Sequence, residues 1–172
     1  LSSHGIGIRA FDRQKEKMQW YRAANIAGYN FRMCDILAAI GIKQLEKVDK
    51  MNELRRKHAA YYNENLDTAL FDLPIETEGC KHVYQMYIIK IKNKIDRDNL
   101  VLKLRENGIG ASVHFDPPVH LQPYYTENKF KHGKLNVTEN VSKSIITLPL
   151  YPQIKQKDLE KIVYYANSLA NV

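Results

Sequence analysis

The sequence predicts an α+β fold, with about three strands backed by helices and one long leading helix. Three observations carry this. Helical and extended segments alternate along the 172 residues, in the order helix, strand, helix, strand, helix, strand, helix. The hydrophobic share is 44%, which suits a packed soluble core. The longest apolar run, Ile36–Ile42, is far short of the roughly 18–20 residues that span a bilayer.

Each element has its own signal. Leu1 to Asn30 lacks periodicity and holds Gly5, Gly7, Phe11, Trp20, Tyr21, Gly28 and Tyr29, so it reads as an irregular segment that packs against further protein. The chain opens Leu-Ser-Ser-His, without Met and without a signal peptide's basic start and apolar stretch. It reads as a piece of something longer. A long helix is expected from Met33 to Leu66, with Asp35 at the positive end of its dipole. Its front, Ile36 to Ile42, is apolar on every face and is expected to be buried on all sides. Farther on, Leu45, Val48, Met51 and Leu54 recur every three residues and predict one buried stripe.

Val83 to Ile91 alternates apolar residues on both sides and predicts a strand covered on both faces. Asp96 is placed to cap a helix from Arg97 to Asn107, and Gly108 to stop it. Ala111 to Phe115 reads as the next strand, ended by Pro117-Pro118. A short helix near Thr138–Lys143 leads to a strand at Ile145–Leu148. Leu159, Ile162, Val163, Ala166 and Ala170 then place a final amphipathic helix over Lys157–Ala170.

Composition excludes several functions. Cys34 and Cys80 are too few for a disulfide framework, so the chain reads as intracellular, reduced and cytoplasmic. The net charge of +7 suits an anionic partner, but the basic residues are scattered and no aromatic-basic strip supports a nucleic-acid module. No membrane or nucleic-acid partner is therefore expected. His114, Asp116 and His120 form a weak echo of an iron site, but they crowd one Pro-Pro turn, whereas such sites draw the second histidine from a distant strand. No nucleophile elbow, P-loop or dinucleotide fingerprint occurs, and no full catalytic set assembles within the chain.

Two polar clusters remain. In Gly28-Tyr29-Asn30-Phe31-Arg32, Asn30 and Arg32 alternate with aromatics just before a helix. An amide and a guanidinium there can bind a phosphate or carboxylate, or can serve only as a cap and a surface ion pair. In His114-Phe115-Asp116-Pro117-Pro118-Val119-His120, two prolines stiffen a polar loop at a strand end, a common place for binding residues. The alternative is a buried, satisfied histidine in a proline-enforced turn.

The order of these clusters resembles the DegT/DnrJ/EryC1/StrS family of pyridoxal-phosphate sugar aminotransferases, in its C-terminal part. Five segments match in order. Ser3-His4-Gly5 is similar to the family's S-H-G. Gly28–Met33 with Ile36, Ala38-Ala39, Gly41 and Gln44-Leu45 is similar to G-Y-N-[YF]-R-M followed by A-A-x-G-x-x-Q-L. Gly108–Gly110 through His120 to Tyr125 is similar to the signature ending V-H-[YF]-x-P-x-H-x-Q-P-x-Y. Glu139 stands where the family has a Glu before a helix. Leu148–Pro152 is similar to L-P-[LM]-[YF]-P. Two positions depart: Cys34 replaces a capping Ser or Thr, and Asn136 stands where Pro is frequent.

The resemblance implies the small C-terminal domain of a fold-type I transferase over residues 33–172, with residues 1–32 connecting to a large cofactor-binding domain. It implies a homodimer with active sites at the subunit interface, pyridoxal 5'-phosphate as cofactor, glutamate as amino donor and a nucleotide-linked keto sugar as acceptor. Asn30 is similar to the asparagine that reaches the cofactor phosphate of the other subunit. Arg32 is similar to its companion on the substrate side. His114 and Phe115 are similar to residues lining the sugar pocket, and His120 is expected to order that loop. No catalytic residue falls within the chain: the family's Schiff-base lysine precedes the S-H-G motif, so before Leu1, and the chain alone is expected to be inactive. Two alternatives stay open, a sugar dehydratase of the same family and a non-catalytic association module.

Overall fold

The computed structural model describes residues 12, 15, 24–31, 33–92, 95–128 and 133–170. The Ser3-His4-Gly5 match, the aromatics Phe11, Trp20 and Tyr21, and Arg32 lie outside the described residues. The chain divides into two compact units, residues 1–48 and 49–172.

Helix α1 runs Asp35–Asn65. The Cys34 carbonyl accepts the Ala38 N–H at 3.0 Å, so Cys34 occupies the cap position. The front of α1 is exposed within this chain, with Ile36 at 74% and Leu37, Ile40 and Ile42 all above half. The expected all-round burial of this front is therefore not seen among the described residues. The predicted stripe also starts later than its spacing implies. Leu45 and Val48 are exposed, Met51 and Leu54 are half-buried, and full burial begins at Ala59 and Tyr62.

From Ala59 onward the second unit builds one core. Its sheet holds β1 (Phe71–Asp72), β2 (Tyr87–Ile91) and β3 (Ile145–Leu148), antiparallel throughout, with β2 in the centre. Tyr87 pairs with Leu148, Ile89 with Ile146 and Phe71 with Ile91. The predicted strand at Val83–Ile91 begins only at Tyr87, because Tyr84 sits at φ 46°, outside the extended region. Nor is β2 covered on both faces. Tyr87 and Ile89 are buried, while Ile88 is half-buried and Lys90 exposed, the pattern of an antiparallel sheet with one wet face.

Helix α2 (Arg97–Glu106) carries the clearest end signals. The Asp96 side chain accepts the Asn99 N–H at 3.0 Å, satisfying one orphan donor of the first turn. Gly108 adopts φ 75°. Its N–H donates to Arg105 O, and that of Ile109 donates to Leu104 O, which together form a Schellman stop.

The predicted strand Ala111–Phe115 is the main departure. Only Ser112 pairs, as a single antiparallel bridge to Thr147 on the free edge of β3. Phe115 is 68% exposed, and the chain leaves the sheet toward the turn at Pro117-Pro118. A 3₁₀ turn at Val119–Leu121 and helix α3 (Pro123–Glu127) follow. Then come α4 (Asn136–Ser142), β3 and α5 (Gln156–Leu169). In α5, Leu159, Ile162, Val163 and Ala166 are all buried, as their spacing predicts. No helix among the described residues is long and apolar enough to cross a membrane.

Candidate functional site

The first cluster lies in the first unit. Residues 27–31 are irregular and lead to the cap of α1. The Tyr29 and Phe31 rings stack, with centroids 4.9 Å apart and planes 15° from parallel. Asn30 lies between the two stacked residues in sequence. The Asn30 amide is exposed and hydrogen-bonds to no other described residue. An unengaged amide can donate to an anion without first giving up a protein partner. Arg32 belongs to the same cluster in sequence, but its placement lies outside the described residues.

The second cluster lies in the second unit, and four contacts fix its loop. His114 Nδ1 shares a hydrogen bond of 2.9 Å with Thr147 Oγ1 on β3. Thr147 is buried and is held by the Ser112 bridge through bonds of 3.0 and 2.7 Å, so the ring's anchor is part of the sheet. The other ring nitrogen, Nε2, is left for another partner. The Phe115 ring meets the His114 ring edge-on at 5.1 Å and is largely exposed. The peptide bonds His114–Phe115 and Asp116–Pro117 are cis.

Farther along, Gln122 Nε2 donates to Pro117 O at 2.6 Å, closing the turn on itself. His120 Nε2 lies 3.1 Å from Glu139 Oε1. A carboxylate only accepts, so His120 donates there. The same Glu139 oxygen accepts the Leu135 N–H at 3.0 Å. The Leu135 N–H and His120 together hold the Glu139 carboxyl below its ordinary pKa. Glu139 thus ties the start of α4 to the loop, and His120 orders the loop while pointing at protein.

The fourth contact runs through Arg97, which in sequence marks only the start of a helix. Arg97 is buried at 9% exposure. Its Nη2 lies 2.5 Å from Asp116 Oδ2, and its Nη1 donates to Ser142 O at 3.0 Å. Nε is 2.6 Å from Asp98 Oδ1, but its N–H is not aimed at that oxygen and makes no hydrogen bond, so that contact is one of charge. Burial works against the guanidinium charge, yet Asp116 and Asp98 outweigh it and hold the Arg97 pKa above its ordinary value. One signal could have exposed this residue. A cation in the first turn of a helix faces the positive end of the dipole and calls for acidic partners.

His114, Asp116 and His120 thus go to Thr147, Arg97 and Glu139 respectively. Among the described residues no group of three His, Cys, Asp or Glu side chains can share a metal ion. A separate cavity of about 430 Å³ is lined by Gly108, Gly110, Tyr151 and Lys161, among others. None of the sequence-predicted site residues lines it.

Comparison with known proteins gives this geometry its setting. The model of the DegT/DnrJ/EryC1/StrS aminotransferase family matches residues 1–166. A pleiotropic regulatory protein of Geobacillus stearothermophilus is 35% identical over 142 residues, covering 81% of this chain and 37% of that protein. A DegT/DnrJ/EryC1/StrS aminotransferase from Brucella abortus superposes with a TM-score of 0.77 at 26% identity, covering 99% of this chain and 42% of that one. A Streptococcus pneumoniae protein named as a candidate sugar aminotransferase, solved in its PMP form, gives a TM-score of 0.81 at 21% identity, over 99% and 43% of the two chains. The chain spans less than half the length of each. Its helices and three-stranded antiparallel sheet have the fold of the corresponding part of fold-type I aminotransferases.

Proposed function

The chain belongs to the DegT/DnrJ/EryC1/StrS aminotransferase family, and from that premise we propose that it is the small-domain portion of a pyridoxal-phosphate-dependent sugar aminotransferase. The single observation that carries this is the continuity of the match, which runs through both polar clusters from residue 1 to residue 166. In this reading residues 1–32 connect to a large domain and residues 33–172 form the small one. The enzyme works as a cytoplasmic homodimer and moves an amino group from glutamate to a nucleotide-linked keto sugar. The exposed apolar front of α1 supports it, because contiguous exposed apolar surface marks a site of association.

The residues present fit the cofactor as a partial shell. Asn30 offers an exposed amide beside the Tyr29–Phe31 stack, and an amide N–H suits a phosphate oxygen. When bound, pyridoxal phosphate supplies the electron sink that carries the amino group between donor and acceptor. The chain's own residues bind and orient. Asn30 donates to the cofactor phosphate of the other subunit. Arg32 places a fixed positive charge on the substrate side. His114, locked through Nδ1 to Thr147, presents Nε2 to a sugar hydroxyl. Phe115 offers its exposed ring to the sugar's apolar face. His120 keeps the loop in register through Glu139. Holding the acceptor in one orientation is what this part of the enzyme contributes to rate.

The test is a pair of half-reactions on the full-length enzyme loaded with pyridoxal phosphate. Glutamate should convert the cofactor to its amino form with one equivalent of 2-oxoglutarate released, and a nucleotide-linked keto sugar should return it. Glutamate turnover with no response to any nucleotide-linked keto sugar would remove the sugar assignment. No response to glutamate would remove the transaminase assignment.

A further inference from the structure

We propose that Arg97 is a positioning residue for the sugar-facing loop, a buried clamp that sets where His114 and Phe115 stand. The inference rests on the loop assignment proposed above. It starts from an imbalance in the structure. Arg97 is a nearly buried cation at the start of α2, where the helix dipole opposes it. Taking a guanidinium out of water is costly unless its donors are matched. Two of its nitrogens are matched by groups on separate elements, Asp116 in the loop and the Ser142 carbonyl at the end of α4.

The planar fork therefore joins three elements with fixed geometry. A guanidinium can do this where an ammonium cannot, because its donors diverge at set angles. Asp116 follows Phe115 directly and lies two residues from His114. Moving the Asp116 carboxylate moves both. His114 has a second anchor on β3 through Thr147, whereas Phe115 is largely exposed and its ring meets the His114 ring edge-on. Loss of the clamp should therefore loosen the loop between Val113 and Gln122 while leaving the sheet in place. Arg97 touches neither cofactor nor sugar and acts through Asp116.

Hydrogen exchange on the full-length, cofactor-loaded enzyme tests this, comparing wild type with Arg97→Met, Arg97→Lys, Asp116→Asn and the double variant Arg97→Met/Asp116→Asn. UDP-glucose and TDP-glucose serve as probes. In Arg97→Met and Asp116→Asn the amides of residues 113–116 and 119–122 should exchange about 10- to 100-fold faster, with residues 145–148 and 156–169 unchanged. The double variant should be no faster than the single ones, since both break one contact. Arg97→Lys, which keeps the charge but not the fork, should fall between. The protection that a probe gives the loop should need at least about tenfold more probe in Arg97→Met, with partial rescue in Arg97→Lys.

Unchanged loop exchange in Asp116→Asn would overturn the clamp even if Arg97→Met unfolds. So would acceleration spread evenly across residues 49–172 in that variant, or equal probe requirements in wild type and Arg97→Met. If neither probe protects the wild-type loop, the sugar-pocket reading fails, and the clamp is judged on the exchange rates alone.

Discussion

Replacing Asn30 by alanine in the full-length enzyme is expected to raise the dissociation constant for pyridoxal phosphate by about 10- to 100-fold. Hydrogen bonds to a charged group contribute about 1.5–3 kcal/mol, and each 1.4 kcal/mol is about tenfold in affinity. The local structure makes the variant clean. The Asn30 side chain is exposed and holds no other described residue, so removing it takes no hydrogen bond from the described residues. Folding stability should stay within about 0.5 kcal/mol, as for a surface substitution away from structural features. Absorbance titration of the apoenzyme with cofactor measures the effect. Asn30→Asp should be worse, because it sets a carboxylate against a phosphate dianion. Unchanged affinity in Asn30→Ala would sink the assignment.

Replacing His114 by alanine should divide the two half-reactions. The glutamate half-reaction should keep its rate, while KM for the nucleotide-linked keto sugar rises about 10-fold or more, the loss expected for a hydrogen bond to the sugar together with its orientation. Thr147→Val provides the control. It leaves the imidazole in place but removes its anchor at Nδ1, so it should move KM in the same direction by less. Steady-state kinetics with each substrate varied read both variants. Equal KM values in wild type and His114→Ala would remove His114 from the sugar pocket.

The sequence showed the regular parts of the fold and missed those set by tertiary contacts. Helix α5 was legible because five apolar residues recur on one face, and β3 because a short apolar run is bounded by polar turns. Helix α2 could be read from both ends, since Asp96 and Gly108 use local chemistry that leaves a mark in sequence. Strand β1 is two residues long and carries no period to detect. Ala111 to Phe115 has the alternation of a strand, but it makes a single bridge before the chain turns at Pro117-Pro118, with Asp116 paired to Arg97. That contact joins residues nineteen positions apart, which no local pattern records.

The candidate site divides in the same way. The motifs picked out Asn30, Arg32, His114, Phe115 and His120, because short ordered signatures survive in sequence. Glu139 also stood out in sequence, but its bond to His120, and the parts that Thr147 and above all Arg97 play in holding the loop, became visible only in three dimensions. The apolar front of α1 is expected from sequence to be buried on all sides, and among the described residues it lies exposed.

In the proposed function, the chain shapes an aminotransferase site whose lysine lies elsewhere. Borohydride reduction in the presence of pyridoxal phosphate, followed by peptide mass spectrometry, tests it most directly on the full-length enzyme and the 172-residue chain side by side. The expected result is one labelled lysine in the full-length enzyme, outside residues 1–172, and no specific label in the chain alone. A single stoichiometric label on a lysine within residues 1–172 would contradict it.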